Sequence, residues 1–211
     1  MEREGVIKYS LDFKGQALNL PDKTLAALNI CRTAMIQQAL LGQDARRYAG
    51  YGFGNISLRC TPSSSAFYIS GTQTGHETKL SKTHLAYVTG IDIEQNTLIA
   101  QGETEPSSEG MTHGVLYQQS EQIQAVVHVH SPDIWQHADA LNLPSTPETI
   151  PYGTPEMARA VQQLCSRLML HKPYLPIVFV MKGHKDGVVA AGASLAQCTK
   201  VLLEYLGLST R

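Results

Sequence analysis

The chain has 211 residues, 43% hydrophobic and 17% charged, enough to bury one sizeable core, and a single domain over residues 1–211 is the expectation. A formal net charge of −1 leaves no electrostatic footprint for nucleic acid or an anionic membrane surface. The longest apolar stretches, PIVFVM and VVAAGASLA, fall well short of the ~20 residues that a membrane-spanning helix needs. Cys31, Cys60, Cys165 and Cys198 are scattered without a C-x-x-C pair, which predicts free thiols in a reducing compartment. The opening MEREGVIKYS lacks the apolar run of a signal peptide, so a soluble, cytoplasmic protein is expected.

In chain order, PDKTLAALNICRTAMIQQALLG starts at Pro21 and Asp22 and reaches Gly42, which predicts a helix over 22–42. After a Gly/Tyr-rich loop, NISLRC and AFYIS read as strands, and the Pro and serines of TPSSS between them make an antiparallel hairpin. LAYVTGIDI and TLIAQ flank EQN as a second hairpin, and SSEGMTHGVLYQQ reads as a helix. AVVHVH is a short β-branched strand ending at a Ser-Pro break. TPEMARAVQQLCSRLMLH carries Met157, Val161, Leu164 and Leu168 at helical spacing behind a Thr154-Pro155 start. PIVFVM and GVVAAG are strands, and SLAQCTKVLLEYLG is the last helix. Strands joined by short turns with interspersed helices predict an antiparallel-rich sheet layered with helices.

Chemistry concentrates in three places. On a strand, residues i and i+2 share a face, so His128 and His130 stand side by side while Val127 and Val129 face the other way. That spacing suits two ligands of one ion, and equally two buried histidines bonded to backbone. His184, in the Gly-bounded MKGHKDG after a strand, would supply the third imidazole of an open, catalytic type of metal site. In EPSSEGMTH, Ser107, Ser108 and Glu109 at a helix start fit either a cap with a dipole-favoured carboxylate, or an anion site with a proton carrier. His113 would lie on the face of Glu109, one turn on, as a support for the site. His76, His84, His137 and His171 have no partner at suggestive spacing.

Taken together and in this order, GNISLR, ISGTQTG, PSSE, VVHVHS and GH resemble the class II aldolase/adducin family over roughly residues 25–205. The resemblance implies a three-layer α/β/α sandwich around a mainly antiparallel central sheet, assembled as a homotetramer with active sites between subunits. It implies metal ligation by His128, His130 and His184, an acid/base role for Glu109, and a phosphate pocket made by Gly54, Asn55, Thr74, Gly75, Ser107 and Ser108. The chain departs from the family in three ways. Lys185 and Asp186 separate His184 from Gly187. ISGTQTG is longer than usual, so that Ser70 and Gly71 compete with Thr74 and Gly75 for the phosphate role. Thr149 stands where some aldolases carry a tyrosine proton donor, with Tyr152 nearby.

The function implied is a metal-dependent, aldolase-type lyase acting on a small sugar phosphate or hydroxy-carbonyl compound through a metal-stabilised enediolate. Zinc is the first expectation for three imidazoles, with Mn, Fe, Co or Ni able to use the same ligands. Epimerisation or dehydration on the same scaffold is the alternative. A non-catalytic, adducin-like interaction module is the reading from another class; it would be expected to lack the ligand histidines.

Overall fold

The computed structural model describes residues 5–171 and 175–210. Its elements are β1 (Ser10–Gly15), α1 (Asp22–Gln37), β2 (Gly42–Gln43), β3 (Gly52–Phe53), β4 (Asn55–Arg59), β5 (Phe67–Ser70), β6 (Leu85–Asp92) and β7 (Thr97–Gly102). There follow α2 (Gly110–Gln119), β8 (Ala125–His130), α3 (Pro132–Gln136), β9 (Ser145–Thr146), α4 (Pro155–His171), β10 (Ile177–Met181), β11 (Gly187–Gly192) and α5 (Leu195–Ser209). Nine strands form one sheet in the order β1-β7-β6-β5-β4-β8-β11-β10-β9, and β2 pairs with β3 apart from it.

The expected sheet needs a correction, because it is mixed. The hairpins β4–β5 and β6–β7 form as anticipated and the inner ladders are antiparallel, but β1 joins β7 in parallel and β9 joins β10 in parallel. The two parallel strands lie at the edges of the sheet. β1, SLDFKG, alternates: Leu11 and Phe13 pack against the core while Ser10, Asp12 and Lys14 face solvent, and the strand is laddered to β7. β9 has two residues.

The inner strands read as continuous apolar runs because helices cover both faces, and every residue of β8, β10 and β11 is buried. On one face α2 and α4 pack Val115, Leu116, Met157 and Val161 against Val126, Phe179 and Val189. On the other, α1, α3 and α5 pack Leu28, Met35, Ile134 and Leu202 against Val127, Val129, Val180 and Val188. Each such side chain contributes about 1.5–3 kcal/mol by leaving water. The alternation along β8 therefore sets His128 and His130 on the Val126 face, under α2 and α4.

α1 ends at Gln37, five residues short of the expected Gly42. Ala39 takes a left-handed conformation (φ 53°), its N–H bonds Ile36 O and the Leu40 N–H bonds Met35 O, which together close the last turn. The early stop drops Leu40 and Leu41 into the core and turns the Leu40 carbonyl onto the N–H of His130 (2.9 Å). Ser131 caps the unanticipated α3 by accepting from the Ile134 N–H (3.3 Å), with Pro132 in its first turn. All four cysteines are free, as predicted. Among the described residues, no helix is long and apolar enough to cross a membrane.

Candidate metal centre

Two strand ends and one turn build the centre. β8 runs antiparallel to β11 with His128 opposite Val189 and His130 opposite Gly187, and antiparallel to β4 with Asn55 opposite His128. The β10–β11 turn brings in the third imidazole: the His184 N–H bonds Met181 O (3.0 Å) and the Gly187 N–H bonds His184 O (2.9 Å). Gly183 is required there, since a Cβ would lie 1.7 Å from the Ile150 carbonyl oxygen. Gly183→Ala is accordingly expected to push the turn and His184 out of place and to cost about 3 kcal/mol, read as a lowered urea midpoint together with reduced metal content.

The three imidazoles form a near-equilateral triangle with ring centroids 4.8–5.0 Å apart. One nitrogen from each lies within 4.8 Å of the others, and all three residues are buried. The Val188 carbonyl, 3.2 Å from Nδ1 of His128, can only accept, so Nδ1 carries the proton and Nε2 keeps its lone pair. That Nε2 is 3.1 Å from Nε2 of His130. Two nitrogens each about 2.1 Å from one tetrahedral ion would stand about 3.4 Å apart, so the pair fits a shared divalent cation. Burial first, and the neighbouring His184 second, hold His128 and His130 well below the ordinary imidazole range. They are neutral donors at pH 7, as ligation requires.

Glu109 arrives from the other layer. It occupies the position before α2 rather than the expected first turn, and its carboxylate makes no capping bond. Instead Oε2 accepts from Thr112 Oγ1 (2.8 Å), and Oε1 lies 3.5 Å from Nδ1 of the equally buried His184. His113 has a different partner from the one expected: its Nδ1 meets the Ser57 hydroxyl at 2.6 Å, and burial pushes its pKa down to about 3. One helical turn beyond Glu109 puts it over β4, still close enough to help lower the pKa of His128.

Beside the histidines lies a small polar cleft lined by all six residues expected of an anion pocket: Gly54, Asn55, Thr74, Gly75, Ser107 and Ser108. The serines reach it because residues 105–107 pair with 70–72 through the Thr72 N–H to Glu105 O and the Ser107 N–H to Ser70 O. Gly71 also lines the cleft, while the Ser70 hydroxyl accepts from the Ile56 N–H. Gly54 has φ +73°, and a Cβ there would sit 3.0 Å from the His128 carbonyl. Gly75 is equally constrained: its Cβ would meet the Gly42 carbonyl at 2.4 Å. The buried Asn55 Oδ1 has no hydrogen-bond partner among the described residues. Because amide ends interchange, that position offers a ligand either an acceptor or an N–H donor.

Other residues at the centre were named from sequence without a role there, as Thr149, Tyr152 and Asp186 were, or not named at all, as with Lys8, Arg47 and Tyr48. Thr149, at the position of the family tyrosine, is exposed, whereas Tyr152 is buried and stacks on His184 (4.3 Å, 19°). The Lys8 ammonium lies 3.9 Å over the same Tyr152 ring. Two groups that close to one ring must take opposite faces, so Lys8 clamps Tyr152 onto His184. On the far side the Tyr48 ring meets His130 edge-on (4.8 Å), while its hydroxyl donates to Asp186 Oδ2 (2.7 Å) and accepts from Arg47 Nη2 (2.9 Å). Tyr48, Ala49 and Asp186 all have positive φ (49°, 55° and 63°), so strained backbone gathers against the ligands. Asp186 is one of the two residues that separate His184 from Gly187.

Known proteins share the family and the fold of this chain. A family model described as Class II Aldolase and Adducin N-terminal domain matches residues 36–206. The 3-oxo-tetronate 4-phosphate decarboxylase of Haemophilus influenzae is 28% identical over 184 aligned residues, covering 77% of this chain and 80% of that one. Among solved structures, the YgbL protein of Klebsiella pneumoniae superposes with a TM-score of 0.64 at 19% identity, covering 90% of this chain and 87% of that one. L-fuculose-1-phosphate aldolase from Thermus thermophilus gives 0.64 at 16% identity, covering 90% and 92%. At such identities the structural likeness is one of fold.

Proposed function

Because the chain belongs to the class II aldolase and adducin N-terminal domain family, we propose that it is a metal-dependent lyase that cleaves a carbon–carbon bond in a small phosphorylated hydroxy-carbonyl compound. The observation that carries this reading is the convergence of His128, His130 and His184, buried and neutral, with the Glu109 carboxylate beside them. A non-catalytic module has no use for three desolvated imidazoles around one point. The three-imidazole set suits zinc first, and Mn, Fe, Co or Ni could take the same donors. When bound, the ion would polarise adjacent carbonyl and hydroxyl oxygens of the substrate and stabilise the enediolate that cleavage leaves.

The chain's own groups divide the remaining work. Asn55, Ser107, Ser108, Thr74 and the close-approaching backbone of Gly54 and Gly75 would hold the phosphate and fix the reacting carbon near Glu109. Glu109 would give a proton to that carbon after the fragment has left. Thr112 orients its carboxyl by donating to Oε2. We further propose that the chain acts as one domain on a small-molecule substrate, as a cytoplasmic homotetramer, without nucleic-acid or membrane partners. Four free thiols and the family's usual assembly support this.

The leaving fragment distinguishes two readings. Aldol cleavage needs a group to take the proton from the departing hydroxyl. Thr149 is too exposed for that, and Tyr152 is the candidate left at the site. Decarboxylation needs no such group: the C–C electron pair stays on the substrate, CO2 departs from an already ionised carboxylate, and Glu109 supplies the single proton. The departure at Thr149 and the decarboxylase relative both favour this second reading.

The test is a panel of sugar phosphates and 3-oxo sugar-acid phosphates, with their unphosphorylated counterparts, given to the metal-loaded protein and read by mass spectrometry. Two carbonyl fragments identify an aldolase, and CO2 release a decarboxylase. Water loss or inversion would move the assignment to a dehydratase or an epimerase. No turnover across the panel would overturn the lyase reading. Tyr152→Phe is expected to spare decarboxylation and to abolish aldol cleavage.

A further inference from the structure

The cleft that would hold the phosphate is lined, among the described residues, by Gly, Ser, Thr, Asn and Gln, with no charged side chain. A dianion there would have to be met by neutral donors alone, unless a charge stands behind the wall. Arg32, in the middle of α1, stands there. Its side chain is 1% exposed, and its guanidinium donates to the carbonyls of cleft residues Thr74 (Nη2, 2.6 Å) and Gly75 (Nη2, 3.4 Å) and twice to that of Glu77 (Nε 2.8 Å, Nη2 2.6 Å). One turn earlier Asn29 pairs both ways with the Leu80 backbone (2.9 and 2.7 Å), so one face of α1 grips the 74–80 loop at both ends.

We propose that Arg32 is the charge with which this cleft selects a phosphate dianion, a positioning and specificity-determining residue that acts through the peptide units of Thr74–Glu77 without touching the ligand. The inference rests on the phosphate reading above and deepens it. Two observations carry it. The Thr74–Gly75 peptide is trans, so the Thr74 carbonyl and the Gly75 N–H point in opposite directions. With the carbonyl drawn onto Arg32, the N–H is turned away from the helix, and it has no acceptor among the described residues. Gly75 itself lines the cleft. The polarised peptide thus passes part of the guanidinium's field to the place where an anion would sit.

The second observation is the cost of the arrangement. A guanidinium buried against carbonyl oxygens, with no carboxylate bonded to it, is an expensive way to hold a loop that a neutral donor could hold. The Glu77 carboxylate is turned to His76 Nε2 (3.1 Å), near enough to favour the charged guanidinium but not bonded to it. Burial lowers Arg32 only to about 10, so it stays charged at pH 7.

The experiment uses the full-length, zinc-loaded chain with inorganic phosphate as the probe, phosphorus NMR following binding and the titration of the bound ion, and zinc-free protein separating cleft-bound phosphate from phosphate on the metal. In the native chain, cleft-bound phosphate is expected to titrate at lower pH than free phosphate, because a fixed positive charge favours the dianion. Arg32→Gln is expected to weaken binding by about tenfold or more and to return the bound phosphate's titration toward that of the free ion. Arg32→Lys keeps the lowered titration while losing part of the affinity, because a single ammonium cannot reach the three carbonyls.

Unchanged affinity and titration in Arg32→Gln would overturn the proposal. So would weakened binding with an unshifted titration, which would make Arg32 a loop anchor only. Should neither variant fold, the native titration decides alone, and a value equal to that of free phosphate refutes the charge. A native chain that binds no phosphate in the cleft would bring down the phosphate reading and this inference together.

Discussion

Replacing His128 by alanine is expected to abolish binding of the proposed metal and to leave the sheet standing. Nε2 of His128 is the donor whose lone pair is secured by a backbone contact, Nδ1 to Val188 O, and it stands 3.1 Å from Nε2 of His130. Two imidazoles without it hold a divalent ion poorly. The loss should exceed the roughly 10–100-fold that removal of a supporting partner typically costs. Val126, Val127 and Val129 keep β8 in its ladders to β4 and β11, so the fold should survive the cavity at a cost of about 2–4 kcal/mol. Elemental analysis of protein purified without an affinity tag, and the visible spectrum of the cobalt-substituted form, read the result. Full metal occupancy in His128→Ala would mean that these histidines do not hold the ion.

Glu109→Gln should do the reverse, keeping the ion and losing turnover by about 10²–10⁴-fold. The amide has the shape of the carboxyl and its oxygen can still accept from Thr112 Oγ1, so neither the start of α2 nor the stacking of His184 on Tyr152 needs to change. What disappears is the transferable proton. The comparison that matters is kcat against metal content in one preparation. If Glu109→Gln loses metal in step with activity, Glu109 is a fourth ligand and the proton must come from elsewhere; Tyr152 would be the next residue to test. Thermal unfolding of the two variants separates either outcome from simple destabilisation.

Much of the scaffold was legible because its signals are local. Alternation along AVVHVH alone set His128 and His130 on one face and Val127 and Val129 on the other, and the two helix layers occupy those faces accordingly. The spacing of Met157, Val161 and Leu164 behind Thr154-Pro155 made α4, with Thr154 Oγ1 accepting from the Met157 N–H. Where a local rule met a tertiary demand, the demand won. Good helix formers continue past Gln37, yet the chain leaves the helix there, since Leu40 and Leu41 bury more apolar surface in the core and the Leu40 carbonyl is taken by the N–H of His130. β1 went unassigned although Leu11 and Phe13 alternate with polar residues, because so short an edge strand declares itself only through its ladder to β7 and its contacts with the core.

The site divides along the same line. The strand period, the serine-rich helix start and the Gly-bounded turn nominated His128, His130, His184, Glu109, Ser107 and Ser108 by residue type and spacing, while Gly54, Asn55, Thr74 and Gly75 came only from the family resemblance. None of these signals says that residues 109, 128 and 184 meet. That depends on the β8–β11 register, which sets Gly187 opposite His130, and on a turn that Gly183 alone can make. Nor does any local pattern announce that Lys8 would press Tyr152 onto His184, that Tyr48 would reach Asp186, or that Arg32 would back the cleft. Periodicity is a property of neighbours in the chain and decides which face a side chain takes. Convergence of residues more than a hundred positions apart is decided by strand order and register, which the packing of both helix layers selects as a whole.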